Sequence, residues 1–124
     1  MCSDTPRLLL IVDDDPAIRE TLADLLHDEG YVVMTAIHGQ DALTRLRASD
    51  ARPCVILLDL MMPVMSGAEF YTELRNDPAL ADIPVVVISA DGNARRKVKA
   101  MGSQFIPKPV KFDTVLDVVE SHCA

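Results

Sequence analysis

The chain has 124 residues, 12 of them Lys or Arg and 19 Asp or Glu, for a formal charge of −7. This length holds one ordinary domain, and 49% apolar with 25% charged residues is the balance of a globular rather than a disordered protein. The acidic surplus disfavours direct nucleic-acid binding. The apolar runs fall far short of the roughly 20 residues a membrane span needs, and the start lacks a secretory pattern, so neither insertion nor export is expected.

Leu8-Leu9-Leu10-Ile11-Val12 is a wholly apolar run ahead of three acids, Asp13-Asp14-Asp15, and reads as a strand buried on both faces. A helix follows. Ile18, Leu22, Leu25 and Leu26 share one face, Asp15 can cap it, Pro16 suits its first position and Gly30 follows its end. Tyr31 to Ala36 is a weaker strand, and Ala42, Leu43 and Leu46 mark a second helix. Cys54-Val55-Ile56-Leu57-Leu58 is another apolar strand and runs into Asp59. Phe70, Tyr71 and Leu74 mark a third helix, ended by Pro78. Val85 to Ile88 predicts a strand that leads to Ser89, and Ala94, Val98 and Met101 predict a fourth helix with Gly102 after it. Phe105-Ile106 is a short fifth strand leading through Pro107 to Lys108, and Phe112, Leu116 and Val119 mark a fifth helix entered near Asp113.

Strand and helix thus alternate, which implies a parallel sheet with helices on both faces. At this length the doubly wound strand order 2-1-3-4-5 is the natural choice. Pro107 agrees, since proline is tolerated mainly on edge strands and the fifth strand is then an edge. Residues 1–124 are expected to form a single domain with its core over about 7–122.

Ligands of such sheets bind at the carboxyl ends of the strands, where the strand order reverses. Asp13, Asp14 and Asp59 should therefore meet, flanked by Ser89 and Lys108. Three carboxylates in one pocket repel unless cations compensate. An ammonium group and a divalent ion can do so, and all-oxygen ligation suits Mg2+. A carboxylate can also act as a nucleophile and form an aspartyl phosphate. Phosphoryl transfer needs mainly positioning and neutralisation of phosphoryl oxygens, which a metal, a lysine and a hydroxyl supply.

The stretches IVDDDPAIRETL, VILLDLMMPVMSG, VVVISA and FIPKP resemble a response-regulator receiver domain of two-component signalling. The resemblance runs from about Leu8 to His122 and is specific, because each motif follows a predicted strand in order. It implies the flavodoxin-like (βα)5 fold. It also implies Asp59 as phosphoacceptor, Asp14 as main acidic metal ligand and Asp13 as its partner, reaching the metal directly or through water. Met61 would offer its backbone carbonyl to Mg2+, Ser89 the switch hydroxyl, Lys108 the phosphoryl-pairing lysine and Phe105 the switch aromatic. Lys108-Pro109 would be a cis peptide.

Some features depart from the family pattern. Ser89 replaces the commoner Thr, Phe105 lacks a phenolic hydroxyl, and Gly102 to Lys108 is one residue shorter than usual. Met61 and Asp91 occupy positions that tune autodephosphorylation in the family.

The resemblance implies partners: a histidine kinase or histidine phosphotransfer protein as donor, and a separate downstream protein that reads the surface of the fourth helix, fifth strand and fifth helix. The chain ends at Ala124, just after the fifth predicted helix, so a stand-alone regulator without an output domain is expected. A homodimer formed on phosphorylation stays open. Only self-catalysed phosphotransfer and autodephosphorylation are expected, with no turnover enzyme.

Other readings compete. Asp13-x-Asp15 also resembles the nucleophile motif of haloacid-dehalogenase-type phosphatases, although the chain is short for that fold. A binding module that keeps the fold without phosphorylation is a third reading. Cys2, Cys54 and Cys123 are an odd count without a CxxC or Cys/His spacing, which argues against a disulfide framework or a zinc site and for a reducing cytoplasm. Cys54 reads as a small core residue. His27, His38 and His122 are too scattered to suggest a metal site, and Met61, Met62 and Met65 read as loop packing. Arg95, Arg96, Lys97 and Lys99 form a basic run, read as a solvated face with partner recognition as the alternative.

Overall fold

The computed structural model describes residues 7–49, 52–59, 65–90, 96, 99 and 104–123. Five strands, β1 (Leu8–Val12), β2 (Val32–Ala36), β3 (Val55–Asp59), β4 (Val85–Ser89) and β5 (Gln104–Pro107), form one parallel sheet in the order β2-β1-β3-β4-β5. The connecting helices are α1 (Pro16–Asp28), α2 (Gly39–Ala48), α3 (Gly67–Asn76) and a last helix, Phe112–Cys123. Arg96 and Lys99 are helical and exposed. The rest of the predicted fourth helix, with Met61, Met62, Asp91 and Gly102, lies outside the described residues.

The period of two along each strand sorts the core into two layers. Leu10, Val12, Ile56, Leu58, Val85 and Val87 pack with Leu43 and Leu46 of α2 and Phe70 and Leu74 of α3. Leu9, Ile11, Val55, Leu57, Val86 and Ile88 pack with Leu22 and Leu26 of α1 and Val115 and Val119 of the last helix. Every residue of β3 and β4 is buried, so these strands show no alternation of polar and apolar side chains.

The ends of the elements follow local chemistry. The Asp15 side chain accepts from the Ala17 backbone N–H at the start of α1, and Pro16 stands at the first turn. At the other end Gly30 has φ 96°, its N–H donates to the His27 carbonyl, and the Tyr31 N–H donates to the Leu26 carbonyl. This is a Schellman stop. It corrects the expectation that Tyr31 begins the strand, because its N–H closes the helix and β2 starts one residue later. Leu25 also departs from the expected apolar face and is 37% exposed. At α3, Ser66 and Glu69 form a reciprocal capping box.

β3 runs from Val55 through Asp59, one residue later than the apolar run suggests, because Asp59 still pairs with Ile88. β5 takes in Pro107, which pairs with Ser89 on the edge of the sheet, as its proline requires.

The cysteine expectation is corrected. Cys54 and Cys123, 69 residues apart in sequence, are joined as a disulfide. Residue counts and motif spacing cannot detect this pair, because only the packing of the last helix over the sheet brings it together. Among the described residues no helix is long and apolar enough to cross a membrane.

Candidate functional site

The site forms where β1 and β3 lie side by side and their connections leave in opposite directions. Asp59 is the last residue of β3 and Asp13 follows the end of β1; both are buried, 4% and 3% exposed, whereas Asp14 is exposed. One carboxylate oxygen from each of Asp13, Asp14 and Asp59 lies within 4.8 Å of the others. Lys108, directly after β5, places its Nζ 3.4 Å from an oxygen of Asp13 and 3.4 Å from an oxygen of Asp59. One ammonium thus faces two buried carboxylates that come from strands on either side of the reversal point.

Asp13 is held from four directions. Its N–H donates to the Ala36 carbonyl of β2, and its Oδ1 accepts from the Asp15 N–H at 2.9 Å. Its Oδ2 faces Lys108, and its carbonyl accepts from Arg19 Nη1 at 2.8 Å. Asp13 is therefore fixed in place, and exposed Asp14 is left free to turn toward a ligand.

The lysine is positioned by the sheet. The Lys108 N–H donates to the Ser89 carbonyl at 3.0 Å, so the edge strand's ladder sets where the lysine side chain starts. The Lys108-Pro109 peptide is cis, as the resemblance implies. Ser89 ends β4 and is 1% exposed. Phe105 on β5 is half-buried and packs against the α2–α3 side of the core. An apolar groove of about 340 Å³ opens beside the site, lined by Ile18, Thr21 and Leu22 of α1 and by Lys108, Pro109 and Val110.

The donor set fits a hard divalent cation. Oxygens about 2.1 Å from one Mg2+ lie at most about 4.2 Å apart, so the three carboxylates need to close only slightly. Among the described residues no nitrogen or sulfur ligand joins them, which favours Mg2+ over zinc or copper.

The structure thus brings together Asp13, Asp14, Asp59 and Lys108, with Ser89 and Phe105 on the neighbouring strands. Met61 lies outside the described residues. Arg19 is the residue that sequence reading missed. Its position six residues beyond Asp13, on the helix that begins at Pro16, was the available signal.

The model for the response regulator receiver domain matches residues 9–120. Protein PilG of Pseudomonas aeruginosa is 32% identical over 92% of this chain and 85% of its own length. The chemotaxis response regulator CheY4 of Vibrio cholerae has a TM-score of 0.84 at 32% identity, covering 94% of this chain and 98% of that one. Response regulator TrrA of Thermotoga maritima, solved in complex with Mg2+-BeF, has a TM-score of 0.80 at 29% identity, covering 93% of this chain and 97% of that one. Other curated relatives are longer, and this chain spans about half of them, 48% in one case.

Proposed function

The chain belongs to the response-regulator receiver family, and from that premise we propose that it is a switch phosphorylated on Asp59. A histidine kinase or histidine phosphotransfer protein is the donor. An oxygen of Asp59 attacks phosphorus, the P–N bond of the phosphohistidine breaks, and the imidazole leaves with the electron pair and takes up a proton. The observation that carries this reading is the burial of the Asp59 carboxylate beside Lys108 and two further aspartates. A buried carboxylate among like charges is a poor structural device but a good acceptor once cations surround it.

Lys108 pairs with a phosphoryl oxygen and stays close to Asp13. Asp13, Asp14, Asp59 and the Met61 carbonyl would hold Mg2+, which would neutralise the phosphoryl oxygens during transfer. The Ser89 hydroxyl turns toward the new phosphoryl group, and Phe105 moves into the space behind it. The surface of the fourth helix, β5 and the last helix then changes and is read by a separate protein. This is a two-state switch biased by one local charge. We place the chain in the cytoplasm, where such donors act, and assign it no turnover of free substrates.

The phosphatase reading based on Asp13 is weaker, because both oxygens of that carboxylate already face protein donors. Incubation with Mg2+ and acetyl phosphate should add one phosphoryl group. Turnover of phosphate monoesters that survives Asp59→Asn but not Asp13→Asn would reverse the assignment.

A further inference from the structure

Cys54 precedes β3, and Cys123 closes the last helix. Their Cα atoms are 5.4 Å apart, inside the roughly 4.4–6.8 Å range that a disulfide bridges without backbone movement. The Cys54 sulfur also lies 3.2 Å from the Leu8 carbonyl of β1. A Cys54 thiol can donate its proton to that carbonyl, whereas a disulfide sulfur has no proton to give. One sulfur atom therefore has a partner ready in each redox state.

The pair sits at the opposite end of β3 from Asp59. The last helix it holds starts shortly after Lys108 and packs through Val115, Val119 and Cys123 onto the sheet. Its final turn is also tied to the sheet through His122 Nε2 and Gln104 Oε1 of β5, 2.6 Å apart. We propose that Cys54 and Cys123 are a reversible dithiol–disulfide couple that fastens the end of the last helix to the entry of β3. Phosphorylation and oxidation then act on opposite ends of one strand and on one helix.

The oxidant is a small-molecule disulfide of the glutathione class. Cys54 is half-buried and Cys123 is 5% exposed, so Cys54 is the point of entry. Its thiolate attacks the small disulfide, the S–S bond of that molecule breaks, and one thiolate leaves. Cys123, deprotonated in turn, attacks the Cys54 sulfur of the mixed disulfide and expels the second thiolate. The two protein thiols lose two electrons and two protons, and the small disulfide becomes two thiols. In a reducing compartment the pair rests as thiols, and oxidation sets the clasp.

The test uses the full chain with Cys2→Ser, equilibrated in oxidised and reduced glutathione at stepped ratios, trapped with an alkylating agent and read by mass. Hydrogen exchange over residues 112–123 is measured on the same samples. The couple predicts one intramolecular disulfide that forms and is reduced again across the series. It also predicts roughly tenfold slower exchange in the last helix when oxidised. Cys54→Ser and Cys123→Ser proteins should show exchange indifferent to the ratio. Asp59→Asn should form the disulfide as readily, which separates this inference from the phosphorylation reading. Two free thiols at the most oxidising ratio would overturn it. So would a bond that excess reduced glutathione leaves intact, or a disulfide that leaves helix exchange unchanged.

Discussion

Lys108 Nζ lies 3.4 Å from an oxygen of Asp59 across 49 residues of sequence, and at the same distance from Asp13. The lysine is 17% exposed and the two carboxylates 5% or less, so this cation compensates both buried carboxylates of the acidic pocket. Removing one member of a buried ion pair strands the other.

Lys108→Met should therefore lower stability in metal-free buffer by about 2 kcal/mol, less than the roughly 3–5 kcal/mol of a fully buried broken pair because the lysine is partly solvated. The same variant should gain more from Mg2+ than the parent does, since the ion then has no ammonium to compete with. Thermal melts with and without Mg2+ check both points; equal melting points and equal Mg2+ shifts would show that the lysine does not compensate the pocket.

Arg19→Ala should weaken Mg2+ binding by about three- to tenfold, in line with the roughly 1 kcal/mol that a typical hydrogen bond contributes. The lost bond is the one to the Asp13 carbonyl, which holds the acidic turn. Amide shifts of Asp13 to Asp15 during a Mg2+ titration report the affinity. Arg19→Lys should recover part of it, and a change at exposed Glu20 should not alter it.

Gly39 begins α2 where a Cβ would lie 2.9 Å from Met65 Sδ and 3.0 Å from Phe70 Cβ. The methionine can swing aside, but the Phe70 Cβ is fixed to the backbone of α3. Gly39→Ala should cost about 1–2 kcal/mol, as overpacking does, despite alanine's better helix propensity. A lower urea midpoint at unchanged slope would confirm it.

Acid should loosen the start of α2. Burial raises the Asp41 carboxyl, but the Ile37 N–H, Arg45 and His38 outweigh it and hold the group below its ordinary 3.8. A lowered carboxylate stabilises the fold fully above its unfolded value, and that contribution is lost as pH falls through the folded value. The window therefore lies below about pH 4. Melting points from pH 5 downward should fall more steeply for the parent than for Asp41→Asn; parallel curves would contradict the assignment.

Much of this was legible in the sequence because the strands are short, apolar and each followed by a chemical residue. Leu8 to Val12 matches β1 residue for residue, and Pro107 correctly marked the edge strand. The convergence of Asp13, Asp59 and Lys108 followed from strand order alone. Tyr31 was misread because its N–H serves the helix stop while its ring serves the core, and an apolar pattern shows only the second. Arg19 was missed because its guanidinium donates to the backbone carbonyl of Asp13, a partner that residue type does not show and only the spacing along the helix hints at. Cys54 and Cys123 were misread because their pairing is tertiary.

The most direct measurement is the site of phosphorylation. The intact chain, treated with acetyl phosphate and Mg2+, should gain the mass of one phosphoryl group on the peptide that contains Asp59, and Asp59→Asn should gain none while melting within a few degrees of the parent. Equal labelling of Asp59→Asn, or a phosphoryl group mapped to Asp13 or Asp14 in the parent, would contradict the account.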